Sequence, residues 1–415
     1  MKRISTNLPN FDSQYYLRLR EWRMNQLNNK IASQSRIKNL RDDPLAAAKS
    51  TRYKSDITRL KRYTKNIEYM RGELSLAEGY LRDSLDIVQR AREIAVEGAN
   101  GVLDKNQMAY LGEEVNQLVN ELVQIGNARG ADGKTIFSGF RTATEPFRAT
   151  MGNVPGAKGQ VITKVDYVGN IGENGNEIME GSVVSVNIPG NHAFWAENQQ
   201  IYSSIDARNY RVQNNSQIRI DGVNIELKAG DNVYAIISKI NDSAAPVKAT
   251  LDPIKNSLVL QSTYPHQIWI EDAGNGSVMK DLGIIAKDNS RPPLNYSKSA
   301  TVFGGSVFDM LIHLRDSLYK GDSEEVGGLV LRGMDSAINS LTSTIAELGA
   351  KDNRLEVTYK RLASILPDFI KMDSKEVDLD VTEAITNLKM LEYTHQAALS
   401  TAARILRPTL LDFLR

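Results

Sequence analysis

Cysteine is absent from all 415 residues, which rules out disulfides, thiol catalysis and cysteine-built metal sites. Histidine is scarce: His192, His266, His313 and His395 are scattered, and none has a second histidine at ligand spacing. No apolar run approaches the ~18 residues of a membrane-crossing helix, so a soluble chain with no membrane partner is expected. The opening "MKRISTNLPNFDSQ" is basic but lacks an apolar signal core. No cleavable secretory peptide is expected, and export, if it occurs, needs another route. No Ser/His/Asp or paired-carboxylate arrangement declares itself, so the chain reads as a non-enzyme without cofactor or bound metal.

The formal net charge is only +1, but it is unevenly spread. Residues 1–65 hold sixteen Lys and Arg against five Asp and Glu, whereas residues 301–415 hold thirteen against seventeen. A basic arm is one signature of nucleic-acid binding. Here the basic residues are interleaved with a regular apolar series, which favours a solvated helix surface and no nucleic-acid partner.

That series is the strongest signal present. Leu60, Tyr63, Ile67, Met70, Leu74, Ala77, Leu81, Ser84, Val88, Ala91 and Ala95 step by three and four without a fault. Such spacing draws one narrow stripe along an α-helix, of coiled-coil type. No proline interrupts residues 45–98, so one helix on the order of 80 Å, at about 1.5 Å per residue, is expected. A rod fits that length better than a globular core. Its start is marked by "RDDPLAAAKS", where Asp42 and Asp43 precede Pro44: Asp43 can cap the helix and proline suits the first turn.

Similar patterns recur. Met108, Leu111, Val115, Leu118, Leu122 and Ile125 follow a break at "EGANGVLD". Val330, Met334, Ala337, Leu341, Ile345 and Leu348 lead to Leu355, Tyr359, Leu362 and Leu366, after which Pro367 is expected to end or kink the helix. Ala384, Leu388, Leu391, His395, Ala398, Ala402 and Ile405 form a last seam that stops before Pro408. Near the start, Leu8, Phe11, Tyr15, Leu19, Trp22, Leu27 and Ile31 are amphipathic but less regular.

Between about 130 and 300 the period drops to two. "QIRIDGVNIELKAGDN" alternates around Asp221-Gly222, a pair favoured in tight hairpin turns. "VYAIISKIND" reads as a short helix, and "GQVITKVDYVGN", "GSVVSVNIPGN" and "SLVLQSTYPHQIWIEDAGNGS" as strands. The fold class is therefore α+β: a long coiled-coil rod built from both chain ends, with an inserted β-rich domain. Two apparent sites dissolve on inspection. "ARGADGKT" loosely fits a P-loop, but a helix precedes it and a strand, "KTIFSGF", is expected after it, the reverse of what phosphate binding needs. "DSKEVDLD" offers Asp373, Glu376, Asp378 and Asp380 but lacks the central glycine and closing glutamate of a calcium loop; it reads as a linker between helices.

Several stretches together resemble the bacterial flagellar hook–filament junction family, the FlgL or hook-associated protein 3 type within the flagellin superfamily. The opening "MKRIST", the turn "NLRDDPLAAAKS", the stretch "GNARGADGKTIFSGF" with Gly130, Gly133, Phe137 and Gly139, the β-motif "IRIDGVNIELKAGDNVYAIISKIND" and the close "ALSTAARILRPTLLDFLR" occur in the family's order. The resemblance implies terminal assembly helices at 1–40 with 376–415, a helical rod at 41–140 with 301–375, and an outer β-rich domain at 141–300. It implies an assembly interface through Leu8, Phe11, Tyr15, Leu19, Trp22, Leu27, Leu388, Leu391, Ala398, Ala402 and Ile405, with the apolar faces around Leu19, Trp22, Leu388 and Leu391 left uncovered in a lone subunit. The implied partners are hook-associated protein 1, flagellin, further copies in a ring and a flagellar export chaperone. Export would use the flagellar type III route, to a junction that is periplasmic if the organism is a spirochaete. A flagellin filament subunit is the near alternative, and a coiled-coil nucleic-acid-binding protein the remote one.

Overall fold

The computed structural model of the chain describes residues 8–274, 276–287 and 290–405, with side chains from residue 11 to residue 403. The opening "MKRIST", the side chains of Leu8 and Ile405, and Pro408 with the leucine-rich close lie outside the described residues. The fold is α+β, with long helices from both chain ends and antiparallel strands between them. It divides into two compact units, one formed by the residues up to Lys65 with those from Tyr359 onward, the other by Asn66–Thr358. The division therefore falls at 65/66 and 358/359, inside two long helices, rather than at the turns near residues 40 and 376.

The first unit contains α1 (Leu8–Ser33), the opening of α2 (Pro44–Ala99) and, after the middle of the chain, the end of a 47-residue helix, Leu331–Val377, and a last helix, Val381–Ile405. Helix α2 starts where Asp43 accepts a hydrogen bond from the Ala46 N–H at 3.0 Å. Pro44 occupies the first turn, where its missing N–H costs nothing. Tyr53 meets Phe369 edge-on at 6.3 Å, and Ser50 donates to Asp373 at 2.6 Å. Pro367 neither ends nor interrupts its helix. It lies on the exposed side beside exposed Ala363, so the Ala363 carbonyl that loses its N–H donor faces water.

The second unit continues α2 and adds α3 (Lys105–Gly126), whose start is fixed by a reciprocal capping box between Asp104 and Gln107. The α2 seam is buried along its length here: Ile67, Met70, Leu74, Leu81, Val88, Ala91 and Ala95 have essentially no exposed surface. Ser84, its polar member, donates its hydroxyl to the Tyr80 carbonyl at 2.8 Å. Then come β1 (Phe147–Asn153), β2 (Gln160–Tyr167), β3 (Gly175–Met179), β4 (Ser182–Ser185), the short α4 (Gly190–Ala193), β5 (Gln200–Tyr202), β6 (Ser216–Ile220) and β7 (Val223–Leu227). They are followed by α5 (Val233–Asn241), β8 (Val247–Leu251), β9 (Leu258–Ser262), β10 (Ile270–Ala273), the short α6 (Val278–Asp281) and β11 (Thr301–Phe303). Helices α7 (Val307–Lys320) and the short α8 (Ser323–Glu325) lead through a π-helical turn, Val326–Val330, into α9 (Leu331–Val377), and α10 (Val381–Ile405) closes the described chain.

The strands form the hairpins β1–β2 and β3–β4, a three-stranded sheet ordered β10-β6-β7 and a four-stranded sheet ordered β11-β5-β9-β8. Ile218, Ile225, Ile236, Ile240, Leu258 and Ile268 belong to one apolar core shared by those two sheets and α5. Asp221 and Gly222 both take positive φ, +46° and +81°, the pair of values the tight β6–β7 turn demands. Asp221 accepts from the Trp269 N–H at 2.8 Å and faces the buried His266 ring at 3.1 Å, tying the turn to the strand beside it.

Helix α7 is one of the elements that the sequence reading did not single out. Its signals are local: Ser306 and Asp309 cap each other's backbone and Gly321 closes it in the left-handed region. It packs on α3, where a Cβ on Gly112 would lie 2.8 Å from the Tyr319 ring. Its Arg315 is fully buried, donating to the Ile162 carbonyl at 2.6 Å and pairing with Asp316 at 2.7 Å.

The segment "KTIFSGF" is not a strand. Beyond a single bridge between Arg129 and Thr135, it curls through turns, with Gly133 at φ +78° and Gly139 at φ +65°. Phe137 is buried against Phe194 at 5.0 Å, and its carbonyl accepts from Tyr167 and from the Gly190 N–H. Gly130 is the turn residue whose N–H bonds the Lys134 carbonyl. A Cβ on Gly139 would sit 2.2 Å from the Asn170 side-chain oxygen and 2.3 Å from its carbonyl, whereas one on Gly133 would meet nothing within 4 Å. We expect Gly139→Ala to destabilise the second unit by about 2–4 kcal/mol and Gly133→Ala by only about 1 kcal/mol, measured by denaturant unfolding.

Candidate assembly interface

Helix α10 presents one unbroken inward stripe. Ala384 and Ala402 are buried and Leu388, Leu391, His395 and Ala398 are half-buried, all at steps of three and four. These face α1, the helix with which α10 pairs. On α1 the inward positions are Ser13, Leu17, Arg20, Met24, Leu27 and Ile31, again half-buried at steps of four and three. Two seven-residue repeats thus meet in a coiled-coil-like seam. Its small members, Ala398 and Ala402, let the backbones approach. Arg20 crosses the pair to donate to the Thr394 carbonyl at 2.9 Å, and His395 comes within 4.0 Å of Glu21. Leu388 and Leu391, expected to be uncovered in a lone subunit, are therefore partly sheltered by α1 of the same chain.

The far end of the pair is latched by backbone. The Arg36 N–H donates to the Val377 carbonyl at 2.7 Å and the Leu379 N–H to the Gln34 carbonyl at 3.1 Å. Ser35 and Asp378 thereby form a short antiparallel bridge between the two interhelical linkers. Arg36 adds hydrogen bonds to the Glu376 carbonyl and to Asp43. The carboxylates of "DSKEVDLD" are spent on this architecture. Asp373 holds Ser50, Glu376 holds Lys49, Asp378 accepts from Ser374, and Asp380 caps α10 through Thr382 and Glu383. Among the described residues no group of three or more His, Asp or Glu could hold a metal ion.

The outward side of α1 carries three exposed aromatics, with exposed Arg18 among them. Phe11, Tyr15 and Trp22 are 77 %, 62 % and 53 % exposed. At about 100° per residue they lie within about 40° of one another, on the side of the helix opposite the seam. Leu19 sits between the two faces and is half-buried. On α10 the residue directly opposite the seam, Tyr393, is 75 % exposed. Of the eleven residues expected at an assembly interface, Leu27, Leu388, Leu391, Ala398 and Ala402 thus lie in the internal seam. Phe11, Tyr15 and Trp22 face outward, and the side chains of Leu8 and Ile405 are outside the described residues.

A cleft of about 1000 Å³ in the other unit is lined by polar side chains including Glu173, His192, Asn339 and Glu347. His192 stands 3.9 Å from Glu347, and burial holds its pKa below the usual histidine value.

Comparison with known proteins bears on the same helices. Residues 4–142 match the bacterial flagellin N-terminal helical region, 331–414 the bacterial flagellin C-terminal helical region, and 212–263 the flagellin hook IN motif. Flagellin A of Vibrio anguillarum is 22 % identical over 402 residues, covering 97 % of this chain and 96 % of that protein. The flagellar filament 33 kDa core protein of Treponema phagedenis is 27 % identical over 244 residues, 56 % of this chain and 83 % of that protein. Flagellar hook-associated protein 3 of Escherichia coli is 27 % identical over 152 residues, 36 % of this chain and 48 % of that protein. Among solved structures, flagellar hook associated protein-3 from Legionella pneumophila superposes with a TM-score of 0.48 at 18 % identity, over 78 % of this chain and 97 % of that one.

The latch carries a pH signature. The Ala46 N–H and then the Arg36 guanidinium hold the Asp43 carboxyl below its usual pKa, and the Asn39 and Lys38 N–H groups do the same for Asp42. Because both values are depressed by folding, their contribution is complete above the ordinary carboxylate value, ~3.9, and is lost as pH falls through the lower, folded values. In a carboxyl NMR titration we expect both midpoints below ~3.9, with Arg36→Ala raising that of Asp43 while leaving that of Asp42 in place. We also expect Leu391→Asp to weaken the α1–α10 pair by about 2 kcal/mol, seen as faster proteolysis of the chain ends with the core of the second unit intact.

Proposed function

The chain belongs to the flagellin superfamily, and from that premise we propose that it is a structural subunit of the bacterial flagellum. In this reading it is an adaptor at the hook–filament junction, not a catalyst. The single observation that carries the assembly role is the outward aromatic strip of Phe11, Tyr15 and Trp22, exposed on a helix whose other face is already occupied. A chain end that spends one apolar face on itself and keeps another open is suited to bundling with neighbours.

The terminal segments, residues 1–40 with 376–415, would pack against those of adjacent subunits; 41–140 with 301–375 would form the lateral helical body; and 141–300 would face outward. Hook-associated protein 1 on one side, flagellin on the other, sister copies in a ring and an export chaperone are the partners this role calls for. Passage through the flagellar type III channel as an unfolded chain agrees with the absence of cysteine, since no disulfide can form in transit. The similarity to hook-associated protein 3 and the Asp43-Pro44 helix start support the junction over the filament. The similarity to flagellins along 97 % of the chain keeps a filament subunit as the second reading.

Deletion of the gene separates the two. For a junction adaptor, electron micrographs show intact hooks without filaments and flagellin released into the medium, and quantitative mass spectrometry of purified flagella counts about one ring of copies. Thousands of copies per filament would instead identify a bulk subunit. Restoring the gene with Leu388→Asp should give little or no swimming despite normal levels of folded protein, and full motility of that strain would remove the terminal seam from the mechanism.

A further inference from the structure

Four arginines from separate stretches of the second unit border one cleft of about 970 Å³. Arg129 follows α3, Arg141 lies in the turns after Phe137, Arg148 sits in β1, and Arg291 belongs to the segment between α6 and β11. All four are exposed, and among the described residues none forms an ion pair with a carboxylate. The nearby acids do not answer them. Glu145, which also borders the cleft, pairs with none of the four, and Asp166, opposite Arg148 across the β1–β2 hairpin, is held by Lys164 at 2.7 Å. Two of the guanidinium groups are fixed by backbone: Arg141 donates to the Val168 carbonyl at 2.9 Å and Arg129 to the Gly133 carbonyl at 3.3 Å. Each retains further N–H donors for a ligand. Arg291 stands in a turn closed by the Leu294 N–H on its carbonyl at 3.2 Å. In a chain whose formal net charge is only +1, this cleft concentrates positive charge that packing does not use.

We propose that the cleft binds an acidic polysaccharide, a sugar chain bearing carboxylates as uronic acid units do. The planar fork of arginine matches the two oxygens of a carboxylate with paired, charge-assisted hydrogen bonds. The volume is that of pockets that enclose drug-sized ligands, room for a short run of sugar rings and too much for a lone anion. Thr144 and Glu145 supply the remaining polarity. The Thr144 hydroxyl spends its proton on the Arg141 carbonyl at 3.1 Å and keeps lone pairs to offer, and the Glu145 carboxylate is acceptor-only. Both therefore suit the neutral hydroxyl donors that a sugar carries beside its acidic groups, whereas Glu145 repels a ligand that is anionic throughout. Half-buried Val123, Ala149 and Val168 give the ring C–H faces an apolar surface. The cleft's aromatic residue, Phe147, is only 2 % exposed, so it provides no platform for the base stacking by which single-stranded nucleic acid is held. The cleft lies wholly within the second unit and does not depend on how the chain ends pack.

The test uses the full-length chain and a fluorescently labelled oligogalacturonate, with binding read by polarisation at about 0.15 M salt. The double variant Arg148→Glu, Arg291→Glu should bind at least about tenfold more weakly, since it removes two charge-assisted contacts. Neither guanidinium makes a hydrogen bond within the described chain, so the fold should be retained and is checked by thermal unfolding. The control Arg52→Glu, Lys54→Glu changes the charge equally at exposed positions of α2, in the basic N-terminal stretch, and should leave binding nearly unchanged. A measurement without substitutions accompanies these: phenylglyoxal labelling followed by mass spectrometry, in which bound oligogalacturonate should shield Arg129, Arg141, Arg148 and Arg291 but not Arg52. Polyglutamate and single-stranded DNA of matched charge should compete poorly. No binding by the unmodified chain would overturn the proposal, as would equal losses in both charge variants or labelling of the four arginines unchanged by the sugar. Polyglutamate or DNA competing as well as the unlabelled sugar would overturn it too, by assigning the cleft to an acidic peptide or a nucleic acid.

Discussion

The structure of the terminal unit depends on one constraint: a single helix, α1, packs an aliphatic stripe on one side while carrying three exposed aromatics on the other. A helix buried on one side against a scaffold needs one stripe, and its other face can be charged. Helix α1 instead carries Leu17, Met24, Leu27 and Ile31 toward α10 and Phe11, Tyr15 and Trp22 away from it. The aliphatic face is spent within the chain and the aromatic face is not. One side of α1 is thereby covered by α10 and the other left open.

This two-sidedness explains what was and was not legible in the sequence. The α2 series could be read without error because one register is buried from Ile67 to Ala95, so the three-and-four stepping never has to change face. The α10 seam was equally plain from Ala384 to Ala402. For α1 the series Leu8, Phe11, Tyr15, Leu19, Trp22, Leu27 and Ile31 contains a step of five between Trp22 and Leu27. At that step the reading slides from the outer face to the inner one. A break of this kind inside an otherwise helical pattern is a sign of two faces rather than of a poor one.

The middle of the chain divides the same way. The β6–β7 hairpin announces itself through Asp221-Gly222 because the turn has few chemical solutions. The segment around Phe137 misleads because Thr135, Ile136 and Phe137 are residue types favoured in strands, while its glycines at 133 and 139 adopt positive φ and fold it into turns. What stabilises it is tertiary: Phe137, Phe147, Phe194 and Phe308 meet ring to ring, and those residues lie far apart in sequence. Helix α7, which supplies Phe308, escaped notice among its neighbours although its caps at Ser306, Asp309 and Gly321 were in plain view. Local signals identify an element; only packing says which elements share a core.

Placing the open aromatic face near the start of the chain, and pairing it with a helix near the end, has a mechanical consequence. The groove between α1 and α10 exists only where the two lie side by side, because its two rims, Tyr16 and Tyr393, come from different helices. The strip, by contrast, belongs to α1 alone. The backbone latch from Gln34 to Leu379 holds the two linkers together at the far end of the same pair, so groove and latch both depend on chain ends that meet only in the folded unit, whereas the aromatics need α1 alone.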